Sequence, residues 1–115
     1  MARFGSALLL ASLLAAGLPA AAPGAPASKR LRDEGAGIAQ RNCGSCHATG
    51  RKGASPNPKS PPFRYLARRY PLANLEEALG EGIVVGHEGL DMPPFRFESH
   101  EVEALLAYLG SIQKR

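Results

Sequence analysis

Both cysteines of this 115-residue chain fall within one pentapeptide, Cys43-Gly44-Ser45-Cys46-His47. That placement removes the commonest staple of a small exported domain. A Cys43–Cys46 disulfide closes a tiny loop, and by the chain-entropy argument such a bond stabilises little. A second chemistry suits the spacing better. Two thiols three residues apart can each add to one vinyl group of a haem, and a histidine directly after the second thiol reaches the iron from the same side.

The first residues narrow the fold further. Arg3 gives a positive start, residues 7–18 are almost wholly apolar, and residues 19–27 turn small and proline-rich. The apolar run is short for a bilayer span and no stop-transfer pattern follows it, so residues 1–27 read as a secretory signal cut after Ala22 or Ala27. The alternative is an uncleaved N-terminal anchor. A domain confined to residues 28–115 buries a marginal core and needs a staple. It contains no tryptophan and few other aromatic residues. A covalently held haem supplies the missing apolar body.

Along the remaining chain, helical patterns alternate with loops. Residues 31–42 read as a helix running into the motif, with Leu31, Gly35, Ile38 and Asn42 near one face and Ala39 beside them. Gly35 costs roughly 1 kcal/mol relative to alanine in a helix interior, and a close crossing by another helix is one use that justifies it. Residues 48–61 read as a loop. Residues 62–69 fit a short helix with proline in its first turn. Residues 72–79 fit another, ending at Gly80 or Gly82. Residues 83–91 approach Met92-Pro93-Pro94-Phe95 irregularly, since two adjacent prolines exclude a helix interior. The last helix has Ser99 as N-cap, Glu101 and Glu103 in its first turn, and Val102, Leu105, Leu106, Leu109 and Ile112 as its apolar stripe; Lys114 and Arg115 suit its end. The fold class is all-α, short helices packed around one haem.

His47 supplies one axial ligand in this reading, and the opposite ligand comes from a distant loop. Met92 is the candidate, because Met1 leaves with the signal and the adjacent prolines hold the backbone stiff. A thioether stabilises ferrous iron relative to a second histidine. His87 and His100 are the competitors. The outer N–H of His47 requires an acceptor that fixes the ring; Pro61 or Pro62 is preferred, with Pro56 the other choice. Phe63, Tyr65, Leu66, Leu75, Leu79, Ile83, Phe95 and Phe97 are pocket candidates, Phe63 and Phe95 foremost.

Taken together, Gly35-x-x-x-Ala39-x-x-x-Cys43-x-x-Cys46-His47, Met92-Pro93-Pro94 and Leu105-Leu106-Ala107-Tyr108-Leu109 make the chain resemble a small class I cytochrome c of the bacterial periplasm. The resemblance covers essentially all of residues 28–115. It implies haem thioethers at Cys43 and Cys46, iron ligation by His47 and Met92, and a crossing of the first and last helices that sets Gly35 against Leu105 and Tyr108. Ala39 stands where the family carries a bulkier residue. The family's glycine-proline-x-leucine segment is absent, with Pro61-Pro62-Phe63 as its substitute.

The function expected is one-electron transfer through a six-coordinate His/Met haem c, without catalysis, in a periplasmic monomer that has no membrane span once the signal is removed. A haem sensor or peroxidase requires an open sixth position, and a haem-free CxxC oxidoreductase requires a strand leading into Cys43. Residues 29–69 carry 10 basic and 2 acidic side chains, whereas residues 70–115 carry 3 and 8. Such segregation orients encounters with a redox protein such as a periplasmic dehydrogenase or terminal oxidase. A basic rim of Arg51, Lys52, Lys59, Arg64, Arg68 and Arg69 would meet an acidic patch, with one arginine paired to a haem propionate. Export makes nucleic acid a poor partner.

Overall fold

The computed structural model describes residues 17, 25–82, 86–87 and 90–114. Most of the expected signal segment, Ile83, Arg115 and the side chain of His87 lie outside the described residues. Three α-helices carry the architecture: α1 (Ala25–Cys43), α2 (Leu75–Glu81) and α3 (Ser99–Ile112). Two 3-10 helices, Phe63–Arg68 and Leu72–Asn74, lie between α1 and α2. A two-residue antiparallel ladder pairs β1 (Gly86–His87) with β2 (Leu90–Asp91) and brings the chain to Met92. The all-α expectation holds, with this small ladder the one departure among the described residues.

The packing of α1 on α3 is the main contact of the fold. Ile38 and Ala39 are buried on one face of α1 and Ala104, Leu105 and Leu109 on the facing side of α3. Gly35 makes the close approach. A β-carbon at this position would overlap the Ala104 carbonyl oxygen and sit 2.8 Å from Tyr108 Cβ. The crossing therefore rests on Ala104 and Tyr108, not on Leu105 and Tyr108. Leu105 is turned toward the interior instead. Because Ala39 itself is fully buried, the small side chain there is part of the packed surface.

Helix ends follow local chemistry. α1 begins six residues before the apolar stripe, and Arg41 in its last turn opposes the partial negative charge of the carbonyl end. Gly82 stops α2 at φ +119°, a left-handed backbone angle that glycine adopts without steric cost. At α3 the cap is Glu98 rather than Ser99. Glu98 is extended, and it forms a reciprocal capping box with Glu101, whose Oε2 accepts the Glu98 N–H at 2.9 Å.

Tyr108 ties α3 to the loop that follows the pentapeptide, its hydroxyl donating to the Thr49 carbonyl at 2.6 Å. Tyr108→Phe removes that donor and keeps the ring. The expected loss is about 1 kcal/mol, read as a midpoint lower by roughly 4–8 °C in thermal unfolding of a domain this size. An unchanged midpoint would mean that the bond contributes nothing net.

Candidate cofactor site

The pentapeptide sits at the end of α1, where a helix leaves carbonyls without intrahelical partners. Cys43 fills that need by turning the chain: its carbonyl accepts the N–H groups of both Cys46 and His47, at 3.2 and 2.9 Å. The turn leaves Cys43 half-buried, Cys46 exposed and His47 buried. Burial pushes the Cys43 thiol up to about 11, so it stays protonated at neutral pH.

His47 Nδ1 lies 2.8 Å from the Pro61 carbonyl oxygen. A carbonyl only accepts, so Nδ1 carries the proton. In the neutral ring the lone pair then falls on Nε2, which is buried. Phe63 packs its ring 4.8 Å from the His47 ring at an interplanar angle of 40°. Its N–H donates to Ala48 at 2.9 Å, and Asn57 N–H donates to Cys46 at 3.1 Å, so the loop folds back on the pentapeptide at two points.

A cavity of about 470 Å³ opens beside this turn, within the range of about 300–1,000 Å³ typical of small-molecule and cofactor sites. Cys43, His47, Phe63, Leu66, Leu75, Leu79, Leu105 and Leu109 line it, and Met92 closes on it from the opposite arm of the chain. A smaller cavity of about 130 Å³ shares Cys43, His47 and Met92 and adds Cys46, Asn42 and Phe95. The two thiols, the imidazole, the thioether, Phe63 and Phe95 thus surround adjoining space. The set fits a haem: two thiols for vinyl groups, one nitrogen and one sulfur donor for iron, and walls that are largely aliphatic or aromatic.

Other expected residues fall elsewhere. Pro62 lines neither cavity, and its carbonyl accepts Tyr65 N–H at 3.1 Å. Tyr65 faces the guanidinium groups of Arg64 and Arg68, 4.7 and 4.4 Å from its ring centre. The neighbouring Arg64 guanidinium holds its phenol below the usual tyrosine range. Phe97 is core, donating its N–H to Leu79, and borders a separate cleft between α2 and α3. His100 is exposed in the first turn of α3 and lines neither cavity.

Leu105 and Leu109 were legible as part of an apolar stripe but not as cavity wall. Arg69, Tyr70 and Asn74 also line the larger cavity, and only Arg69 had a signal, as a member of the basic run. Among the described residues no helix is long and apolar enough to cross a membrane. No three His, Cys, Asp or Glu side chains among them converge into a cage for a bare metal ion.

A comparison with protein-family models matches the cytochrome c family over residues 32–113. No curated protein and no solved structure gives a significant match. The matched span runs from Arg32 in α1, through the pentapeptide and Met92, to Gln113 just past α3; the chain belongs to the cytochrome c family, whose members characteristically carry electrons rather than catalyse reactions.

Proposed function

We propose that this protein is a small class I cytochrome c of the bacterial periplasm, a shuttle for single electrons between soluble or membrane-bound redox proteins. The observation that carries the reading is the meeting of Cys43, His47 and Met92 on one cavity although Met92 lies 45 positions beyond His47 in the chain. Cys43 and Cys46 hold one haem c through two thioethers. His47 and Met92 would offer its iron one nitrogen and one sulfur donor. When bound, the haem supplies a one-electron couple at iron.

The chain's own residues set the conditions of that couple. The Pro61 carbonyl fixes the tautomer of His47 and raises its basicity. Phe63, Leu66, Leu79, Leu105 and Leu109 keep water from the buried part of the site. Met92 offers a neutral sulfur, and with His47 and Met92 both donating to the iron the chain would leave little room for a substrate there. Among the described residues Arg69 is the one cation on the wall of the larger cavity, which makes it the arginine suited to a propionate. Exposed Arg51, Lys52, Lys59, Arg68 and Arg69, with the half-buried Arg64, form the rim offered to an acidic patch on a dehydrogenase or oxidase. Residues 1–27 serve as the export signal, and the mature protein acts as a monomer.

The test is an absorption spectrum of the exported protein in both redox states, together with its intact mass. The expected result is a sharp long-wavelength haem band on reduction, a weak sulfur-to-iron charge-transfer band on oxidation, and a mass equal to the chain from Pro23 or Ser28 onward plus one haem. A colourless product would overturn the reading. So would high-spin iron that binds carbon monoxide rapidly at neutral pH.

A further inference from the structure

Gln113 is the first residue beyond α3, and its side chain reaches back into another element. Its Nε2 donates to the carbonyl oxygens of Phe63 and Leu109, each at 2.8 Å. Its Oε1 accepts the Ala67 N–H at 2.8 Å. Lys114 continues the attachment: its N–H donates to the Arg64 carbonyl at 2.7 Å, and its own carbonyl accepts Arg68 Nε at 3.2 Å. Two consecutive residues therefore grip the 3-10 helix Phe63–Arg68 at its first, second, fifth and sixth positions.

That helix needs such a grip. Six residues exceed the three or four that 3-10 geometry usually sustains alone, because its hydrogen bonds are poorly aligned. It is also the segment that fixes the imidazole. Pro61, two residues before it, accepts the His47 proton, and Phe63, its first residue, packs against the His47 ring. A glutamine suits the junction because one side chain must both donate to Phe63 and accept from Ala67. Glutamate would only accept, and would set its charge against the Phe63 and Leu109 carbonyls.

We propose that Gln113 is a positioning residue for His47, holding the 61–68 segment so that the Pro61 carbonyl stays on Nδ1. The inference rests on the assignment of His47 as an axial ligand. Loosening the grip weakens the Nδ1–H···O bond, lowers the basicity of the imidazole and withdraws support from ferric iron, so the reduction potential rises.

The experiment is a redox titration of the exported, haem-loaded protein, wild type against Gln113→Ala, Gln113→Glu and Val102→Ala. Val102 is buried in α3, lines the cleft between α2 and α3 and is on the wall of neither cavity beside His47, so it reports simple destabilisation. Both Gln113 variants are expected to raise the ferrous-to-ferric ratio at fixed potential by about threefold or more, with the His47 Nδ1–H proton resonance of the ferrous form moving upfield. Val102→Ala is expected to lose stability and move neither readout. The inference is overturned if the Gln113 variants shift potential and resonance no more than Val102→Ala does. Gln113→Glu, which retains the bond from Ala67, decides the matter if the alanine variant does not fold. A wild-type protein with no haem couple at all would instead refute the ligand assignment itself.

Discussion

Gly35→Ala is expected to destabilise the domain by about 3 kcal/mol, and Gly35→Leu to prevent its assembly. Alanine is the better helix former by roughly 1 kcal/mol, so local propensity alone predicts the opposite sign. Packing decides against it. The added carbon would overlap the Ala104 carbonyl oxygen, a backbone atom in the middle of α3, and would press Tyr108 Cβ at 2.8 Å. Neither atom lies at the free end of a flexible side chain, so relief requires α1 and α3 to move apart. Overpacking of this kind costs about 1–3 kcal/mol and occasionally more, and a backbone clash belongs at the high end. Against a total stability of about 5–15 kcal/mol, the larger leucine leaves no folded state. Gly37 is the control. The three atoms nearest a carbon there all belong to the Arg41 guanidinium, which can swing into solvent, so Gly37→Ala should be neutral or stabilise by about 0.4–1 kcal/mol. Denaturant titrations of the two alanine variants should differ in sign. Equal effects would mean that the crossing is not made at Gly35.

The same residue illustrates what could be read without the fold. A glycine inside an apolar helical stripe signals a close neighbour, and the neighbour is there. Which residue it meets depends on the rotation of α3, and that put Ala104 in the place expected for Leu105. The start of α1 was hidden because periodicity detects only a buried face. Lys29 and Arg30 are helical through their own propensity and leave no apolar trace. The cap of α3 was misplaced by one residue because serine is a strong N-cap by preference, whereas Glu98 and Glu101 satisfy each other reciprocally.

At the site, the pentapeptide was legible because attachment chemistry fixes residue types and spacing together. The walls were less so. Pro61 and Pro62 offer equivalent carbonyls, and only the turn into the 3-10 helix selects Pro61 for His47. Three residues per turn then set Phe63, Leu66 and Arg69 on one side, facing the cavity, and send Tyr65 outward to its arginines. Aromatic character had suggested Tyr65 for the pocket. Helical phase decided otherwise.

Met92→His is expected to keep the haem attached and lower its potential by on the order of 0.3 V, within the roughly 0.8 V over which axial ligation tunes haem proteins. Thioether sulfur is soft and neutral and stabilises ferrous iron, whereas a second imidazole is the better donor to ferric iron. A shift of that size changes the oxidised-to-reduced ratio by about five powers of ten, at 59 mV per tenfold for one electron. The site is suited to the exchange. Met92 follows β2 and precedes Pro93-Pro94, so its backbone is held from both sides, and its side chain lines both cavities beside His47. Met92→Ala separates ligation from packing. Residue 92 is only half-buried, so the stability lost should fall below the 2–5 kcal/mol typical of a fully buried methionine. The charge-transfer band near the red edge of the oxidised spectrum should nevertheless vanish, and carbon monoxide should bind where it did not before. Exposed His100 cannot restore the missing donor without unwinding the first turn of α3, which the capping box holds. If Met92→His left the potential within a few hundredths of a volt of wild type and Met92→Ala kept the band, the sulfur would have to be reassigned as an ordinary packing group and the sixth position given to another residue.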